Sequence, residues 1–294
     1  MRFKGILFFL FLSSLLCAQP SWQREERQQK KTLELFHSIQ LANLPTTESL
    51  ARGDFFYEIA HRFGTVSSGI EGFFGLDGPV NMRTALAYGF SDRLMVTLGR
   101  SNIMDNVDLK VKYKLEALES SLLPMTFALQ AGVALNSEVY GLSGKRRVRD
   151  KRNLQYFGQF IVNGLFWEKK LGVGLAPSVV YNSFIFAGDY RLDTKYTLTL
   201  PLYAQYYFNR MWSLFVEYGM VTGGWQGGVT PGEAENFKSS NSLGAGVAIE
   251  TGGHVFYLFV TNNRRLNSSQ YLIGADAPFR RDRLVLAFSI TRVL

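Results

Sequence analysis

Cysteine is nearly missing from this sequence. Cys17 is the only one and sits in the apolar N-terminal stretch, so the chain beyond residue 18 has no means of forming a disulfide or offering a thiolate. A zinc site would have to rest on histidine and carboxylates, and histidine is scarce too: His37, His61 and His254 complete the set. These three show no metal-ligand spacing with carboxylates, and no phosphate-cradling glycine motif or nucleophile elbow occurs. No catalytic, cofactor-binding or metal-binding residue is expected. No Pro/Gly/Ser-rich linker divides the region after Arg52, which excludes a chain of small separate domains.

The N-terminus is a different matter. Arg2 and Lys4 precede an apolar run from Ile6 to Leu12, and small and polar residues lead on to Ala18. The run is too short for a permanent membrane helix and fits a signal peptide, residues 1–18, cleaved after Ala18. Acylation of Cys17 is the weaker alternative, because the bulky Leu16 precedes it. Loss of Arg2 and Lys4 lowers the formal charge from +8 to +6. The most basic stretch, "SGKRRVRDKR" at 143–152, has no nucleic-acid module around it and reads as a solvated loop. Residues 19–53 form a polar, periplasmic N-terminal segment, helix-friendly up to Gln40 and then broken by Asn43 and Pro45; a short helix or a plug both fit it.

From Asp54 onward the pattern changes to glycine, aromatics and alternation. In "VDLKVKYKLE", residues 107–116, every second residue is charged, which in a strand gives one apolar and one ionic face. A helical spacing also fits this stretch alone, through Val107, Val111, Leu115, Leu118 and Leu122. Its neighbours decide for a strand. Twelve segments alternate in the same way: 54–64, 80–90, 93–101, 107–116, 126–136, 153–166, 171–182, 194–208, 212–222, 241–250, 254–261 and 283–294. Their connections mostly alternate between short and long, as in "SD", "WEKK", "NRM" and "TGG" against 65–79, 137–152, 183–193, 223–240 and 262–282. In an antiparallel meander this sorting puts tight turns at one end and extended loops at the other. The expected fold class is therefore all-β: a transmembrane antiparallel meander β-barrel over 54–294, with short periplasmic turns and long outer loops. Aromatics on the apolar face gather in two girdles, Phe55, Phe90, Phe166, Phe208 and Trp212 against Phe63, Tyr156, Tyr181, Tyr196 and Tyr218.

The segments "EIAHRFG", "FFGLD", "YGFSDRLMVTLGRS" and "KYKL", within residues 36–116, resemble an uncharacterised domain-of-unknown-function family of Gram-negative outer-membrane β-barrel proteins. Leu44 and Pro45 stand where that family typically carries a Gly-His pair. The resemblance implies a barrel in the cell outer membrane, surrounded by its lipid, and supplies no catalytic residue.

By parity the lumen receives Glu58, Arg62, Arg83, Arg93, Asp108, Lys110, Lys112, Lys114 and Glu116, followed on later strands by Gln155, Gln159, Asn163, Lys195, Gln205 and Glu217. An open lumen with this basic excess makes a narrow channel preferring anionic small solutes. A lumen closed by ion pairs or by residues 19–53 makes a scaffold or binding partner for a periplasmic or surface protein. An outer-membrane hydrolase is the least favoured reading, since neither His61 nor His254 has a serine close by on its strand face. Expected partners are the lipid, the barrel-assembly machinery, and one of those solutes or proteins, with no nucleic acid.

Overall fold

A computed structural model describes residues 36–115, 117, 124–138, 150–183, 195–226 and 239–294. Residues 1–35, which include the expected signal peptide and the first part of the N-terminal segment, Glu116, and residues 143–149 of the basic stretch lie outside these.

Period-two alternation dictates strands, and the strands form where it runs: β1 (Phe55–Thr65), β2 (Asn81–Gly89), β3 (Leu94–Ser101), β4 (Asn106–Lys114), β5 (Met125–Asn136), β6 (Leu154–Phe166), β7 (Leu171–Leu175), β8 (Ser178–Tyr181), β9 (Tyr196–Tyr207), β10 (Trp212–Gly224), β11 (Ser242–Thr251), β12 (His254–Thr261) and β13 (Val285–Val293). Each pairs antiparallel with its neighbours in chain order, except that β7 and β8 both lie between β6 and β9, and β13 returns to β1, which closes the sheet. β7 and β8 are two halves of one stave. Val162 faces Leu175 and Gln159 faces Ser178, so the register on β6 runs unbroken across the gap. The wall thus has twelve staves.

The polarity of the wall is inverted relative to a soluble barrel. On β4, Asp108, Lys110 and Lys112 are buried while Val107, Leu109, Val111 and Tyr113 are exposed on the outside. Hydrocarbon rather than water is the medium that tolerates such an outer face. Rings crowd the ends of that face: Phe55, Phe90, Phe208 and Trp212 near the tight turns, Tyr156, Tyr181 and Tyr196 toward the long loops. His61 belongs to the same outer surface, stacked on Phe63 and Phe288.

The gap between β7 and β8 has a local cause. Proline offers no N–H, and Pro177 and Pro201 fall in two adjacent ladder pairs. The N–H of Phe160 reaches the Pro177 carbonyl at 3.0 Å, and that of Ala176 reaches the Pro201 carbonyl at 2.9 Å, but neither bond is returned. Ser178 Oγ replaces one missing donor by bonding the Ala176 carbonyl at 2.6 Å. Pro177→Val restores a donor facing Phe160. The urea midpoint of the refolded barrel, followed by heat-modifiable gel mobility, should rise by an amount equivalent to about 1 kcal/mol, the worth of one hydrogen bond.

Candidate functional site

The interior is occupied by the chain itself. Residues 36–50 enter at the short-turn end, turn at Ala42 and Asn43, and return to β1 as an irregular hairpin closed by a Gln40–Pro45 bridge and by the N–H of Thr46 on the Ile39 carbonyl at 3.1 Å. Asn43 and Pro45, which break any helix, are what permit this turn.

Wall side chains hold the hairpin mainly by its backbone. The Glu217 carboxylate on β10 accepts from the N–H of Asn43 at 2.9 Å and of Leu44 at 3.0 Å, and also from the Asn43 side chain. Arg62 on β1 donates to the side-chain oxygen Oδ1 of Asn43, and its guanidinium lies 4.8 Å from the centre of the Phe259 ring. On β4, Lys112 Nζ donates to the carbonyls of Ile39 and Thr46 at 2.8 and 3.0 Å, and Lys114 Nζ pairs with Glu48 at 2.8 Å. Asn163 accepts from the Thr47 N–H at 2.7 Å, while the hydroxyls of Tyr203 and Tyr257 donate to the Pro45 and Gln40 carbonyls. Thr47 Oγ1 also bonds Thr126 Oγ1 on β5.

The base of the hairpin is apolar. Ile39 and Leu50 pack with Phe56, Ala87 and Met95, and Phe36 lies edge-on to Tyr203 over Gly172, where a Cβ would come within 2.8 Å of the Phe36 ring. Its two legs leave differently. The C-terminal leg is pinned to the β2–β3 turn by the N–H groups of Arg52 on Asp92 and of Gly53 on the Gly89 carbonyl. The N-terminal leg carries His37, bonded to Glu250 and lying on the Tyr207 ring at the rim.

A second insert comes from the other end. The β12–β13 loop turns inward through a one-turn helix, Ser268–Tyr271, capped by Asn267. Ser269 Oγ donates to Gln155 Oε1 at 3.0 Å, Gln270 Nε2 to Asn136 Oδ1 at 2.8 Å, and Asn263 Nδ2 to Ser242 Oγ at 2.7 Å. Burial pushes the Tyr271 phenol well above its ordinary range, and the Glu217 carboxylate pushes it further. Several buried polar atoms near this insert have no hydrogen-bond partner among the described residues, among them Ser101 Oγ, Asn106 Oδ1, Gln270 Oε1 and Tyr271 OH.

Of the residues expected in the lumen, Glu58, Arg62, Arg83, Asp108, Lys110 and Lys112 are buried on the inner face and Lys114 is half-buried there. Arg83 forms an ion pair with Asp108 and approaches Glu58 at 3.5 Å. Gly99 makes room for it, since a Cβ there would lie 2.1 Å from the guanidinium. Lys110 lies in the field of these three groups. Arg93 departs from the expectation. The turn after β2 runs on to Arg93, so its side chain is exposed at the rim instead of facing inward. Lys195, before β9, is exposed as well, and Glu116 lies outside the described residues. No hydrogen bond among the described residues joins a histidine to a serine, and no metal-binding cluster occurs among them. The inward β12–β13 loop gave no sequence signal beyond its Asn, Ser and Gln content.

A family model described as "Membrane bound beta barrel domain (DUF5777)" matches residues 36–294, a span that begins at the hairpin. No curated protein matches the chain. Among solved structures, the NanC porin is 10% identical over 81% of this chain and 97% of its own, with a TM-score of 0.48. The COG4313 outer membrane channel from Pseudomonas putida F1 is 12% identical over 84% and 98%, with a TM-score of 0.45. The Acinetobacter baumannii outer membrane protein Omp33 is 8% identical over 82% and 98%, with a TM-score of 0.41.

Glu217→Ala removes the acceptor for two hairpin amides. Hydrogen bonds to a charged group contribute about 1.5–3 kcal/mol each. Deuterium exchange at residues 40–47 should accelerate at least tenfold, while exchange in the strands stays unchanged.

Proposed function

This chain belongs to the family of membrane bound beta barrel domains, and from that premise we propose that it is an outer-membrane barrel, shut at rest by its own residues 36–50, that opens as a narrow channel favouring anionic small solutes. The observation that carries this reading is the way the hairpin is held: largely by hydrogen bonds from charged and polar wall groups to its backbone. Such bonds are exchangeable, because water or a solute can replace each of them at little net cost.

Withdrawal of the hairpin changes the wall's electrostatics. Lys112 loses both carbonyls and Lys114 loses Glu48. The arc from β1 to β4 then presents Arg62, Arg83, Lys110, Lys112 and Lys114 against Glu58 and Asp108, while Glu217 and Glu250 stand on β10 and β11. A low-dielectric wall focuses that positive field on a passing solute. The unpartnered polar atoms beside the β12–β13 insert favour a polar route past it. In this reading the tight turns face the periplasm and the long loops face outward. The inward β12–β13 loop favours one other reading, a permanently closed barrel that serves as a scaffold for a protein partner.

Planar-bilayer recordings separate the two. The intact chain should be silent, and Glu217→Ala with Lys112→Met should open it with a reversal potential of anion-selective sign. Adding Lys110→Glu should reduce that selectivity. A Thr47→Cys, Thr126→Cys pair, free of competing cysteines in a chain lacking residues 1–18, should abolish opening when oxidised and restore it on reduction. A folded, hairpin-loosened variant that passes no current would favour the scaffold.

A further inference from the structure

The long-loop rim beside β1 and β13 carries apolar and basic groups that the lumen does not use. In the β1–β2 loop, Ile70 is 83% exposed, Phe73 57% and Phe74 46%. Phe73 and Phe74 have φ of 44° and 55°, a left-handed conformation that bulky side chains rarely adopt. Two consecutive phenylalanines held outward in this way imply that the surroundings fix the loop. A glycine contact does so: a Cβ on Gly75 would lie 2.4 Å from the Gly64 carbonyl oxygen, so only glycine lets the loop lie down on β1. The outcome is an apolar knob that no other described residue covers.

The basic groups adjoin it. Val66 N–H bonds the Leu284 carbonyl at 2.8 Å, and Ser67 Oγ reaches the Asp282 carbonyl at 3.4 Å, which ties the knob's loop to the turn that carries Arg280, Arg281 and Arg283. Arg280 and Arg283 share one carboxylate, Asp282, at 3.4 and 3.6 Å, and Arg281 has no carboxylate partner among the described residues. All three are exposed, and so is Phe279 beside them. Exposed arginines alone mean little. Guanidinium forks suit phosphate oxygens, and here they stand next to a preformed apolar surface at the edge of a hydrocarbon-facing wall.

We propose that this rim is a binding site for a lipid with a phosphate-bearing headgroup: Arg280, Arg281 and Arg283 take the phosphate, and Ile70, Phe73 and Phe74 lie against the acyl chains. The assignment rests on the reading in which the long loops face outward at a lipid leaflet, but its chemistry is independent of gating.

The full chain refolded in detergent micelles, titrated with bisphosphorylated lipid A and read by native mass spectrometry, tests it. Removing the phosphates from the lipid, or Arg280→Gln with Arg281→Gln and Arg283→Gln, should each weaken binding at least tenfold. Phe73→Ser with Phe74→Ser should weaken it severalfold and leave the phosphate dependence intact. Equal binding of the dephosphorylated lipid, or wild-type binding by the arginine variant, would overturn the proposal. Full competition by millimolar inorganic phosphate would reduce the site to a free-anion site and overturn the lipid assignment. A micelle has no inner and outer side, so binding is read without assuming an orientation. The orientation itself is read by impermeant maleimide labelling of Ala277→Cys on intact cells. The arginine variant should keep the bilayer behaviour of the intact chain, which separates failure here from failure of the channel reading.

Discussion

The Glu217 carboxylate and the backbone amides of Asn43 and Leu44 depend on each other, and the interior is arranged around that bond. A buried carboxylate without donors is costly, and so is a buried amide without an acceptor. The wall supplies the first and the hairpin the second. Lys112 solves the converse problem with the carbonyls of Ile39 and Thr46. The charges on the inner face are therefore satisfied partly by one another, in the group of Glu58, Arg83 and Asp108, and partly by the barrel's own insert, so a polar wall and a hairpin inside it suit each other.

Much of this was legible in advance, for a simple reason. Period-two alternation is local, so "VDLKVKYKLE" announces one ionic and one apolar face, and the sorted connections say which surroundings suit each. The strand bounds follow the expected segments to within about two residues, with one stave split by Pro177, whose missing N–H was visible but whose neighbour Pro201 in the next ladder pair was not. Arg93 departs from parity because it stands one residue before β3, in the turn, where alternation no longer sets the side-chain direction. The hairpin is harder. Residues 36–50 show polar character and two breakers, which left a plug among the alternatives, yet Glu217 lies more than 170 residues from Asn43. No local pattern encodes that contact. The inward β12–β13 loop is harder again, since its anchors Ser269, Gln270 and Asn263 are residues that any exposed loop uses.

The two inserts are held by different chemistry. The hairpin is bound mainly through the ionisable groups Arg62, Lys112, Lys114 and Glu217. The β12–β13 loop is bound through neutral amides and hydroxyls, and its helix capped by Asn267 makes it a compact unit. Removal of the first alters the field inside the barrel, whereas removal of the second alters mainly its width. In the proposed channel, the hairpin would govern which solutes are attracted and the loop how large they are.

The unequal anchoring of the hairpin's legs has a mechanical consequence. With Arg52 and Gly53 fastened to the β2–β3 turn, the C-terminal leg is fixed, whereas the described part of the N-terminal leg meets the rim through the side chains of Phe36 and His37. A pull on that leg loads the bonds in sequence: His37 to Glu250, then the Gln40 carbonyl to Tyr257, then Asn43 and Leu44 to Glu217, with Thr47 and Glu48 at the end. Bonds broken in series yield at the force of the strongest link, whereas bonds sheared together resist with their sum. The hairpin is thus firm against pressure along the barrel axis and comparatively easy to unzip from its rim.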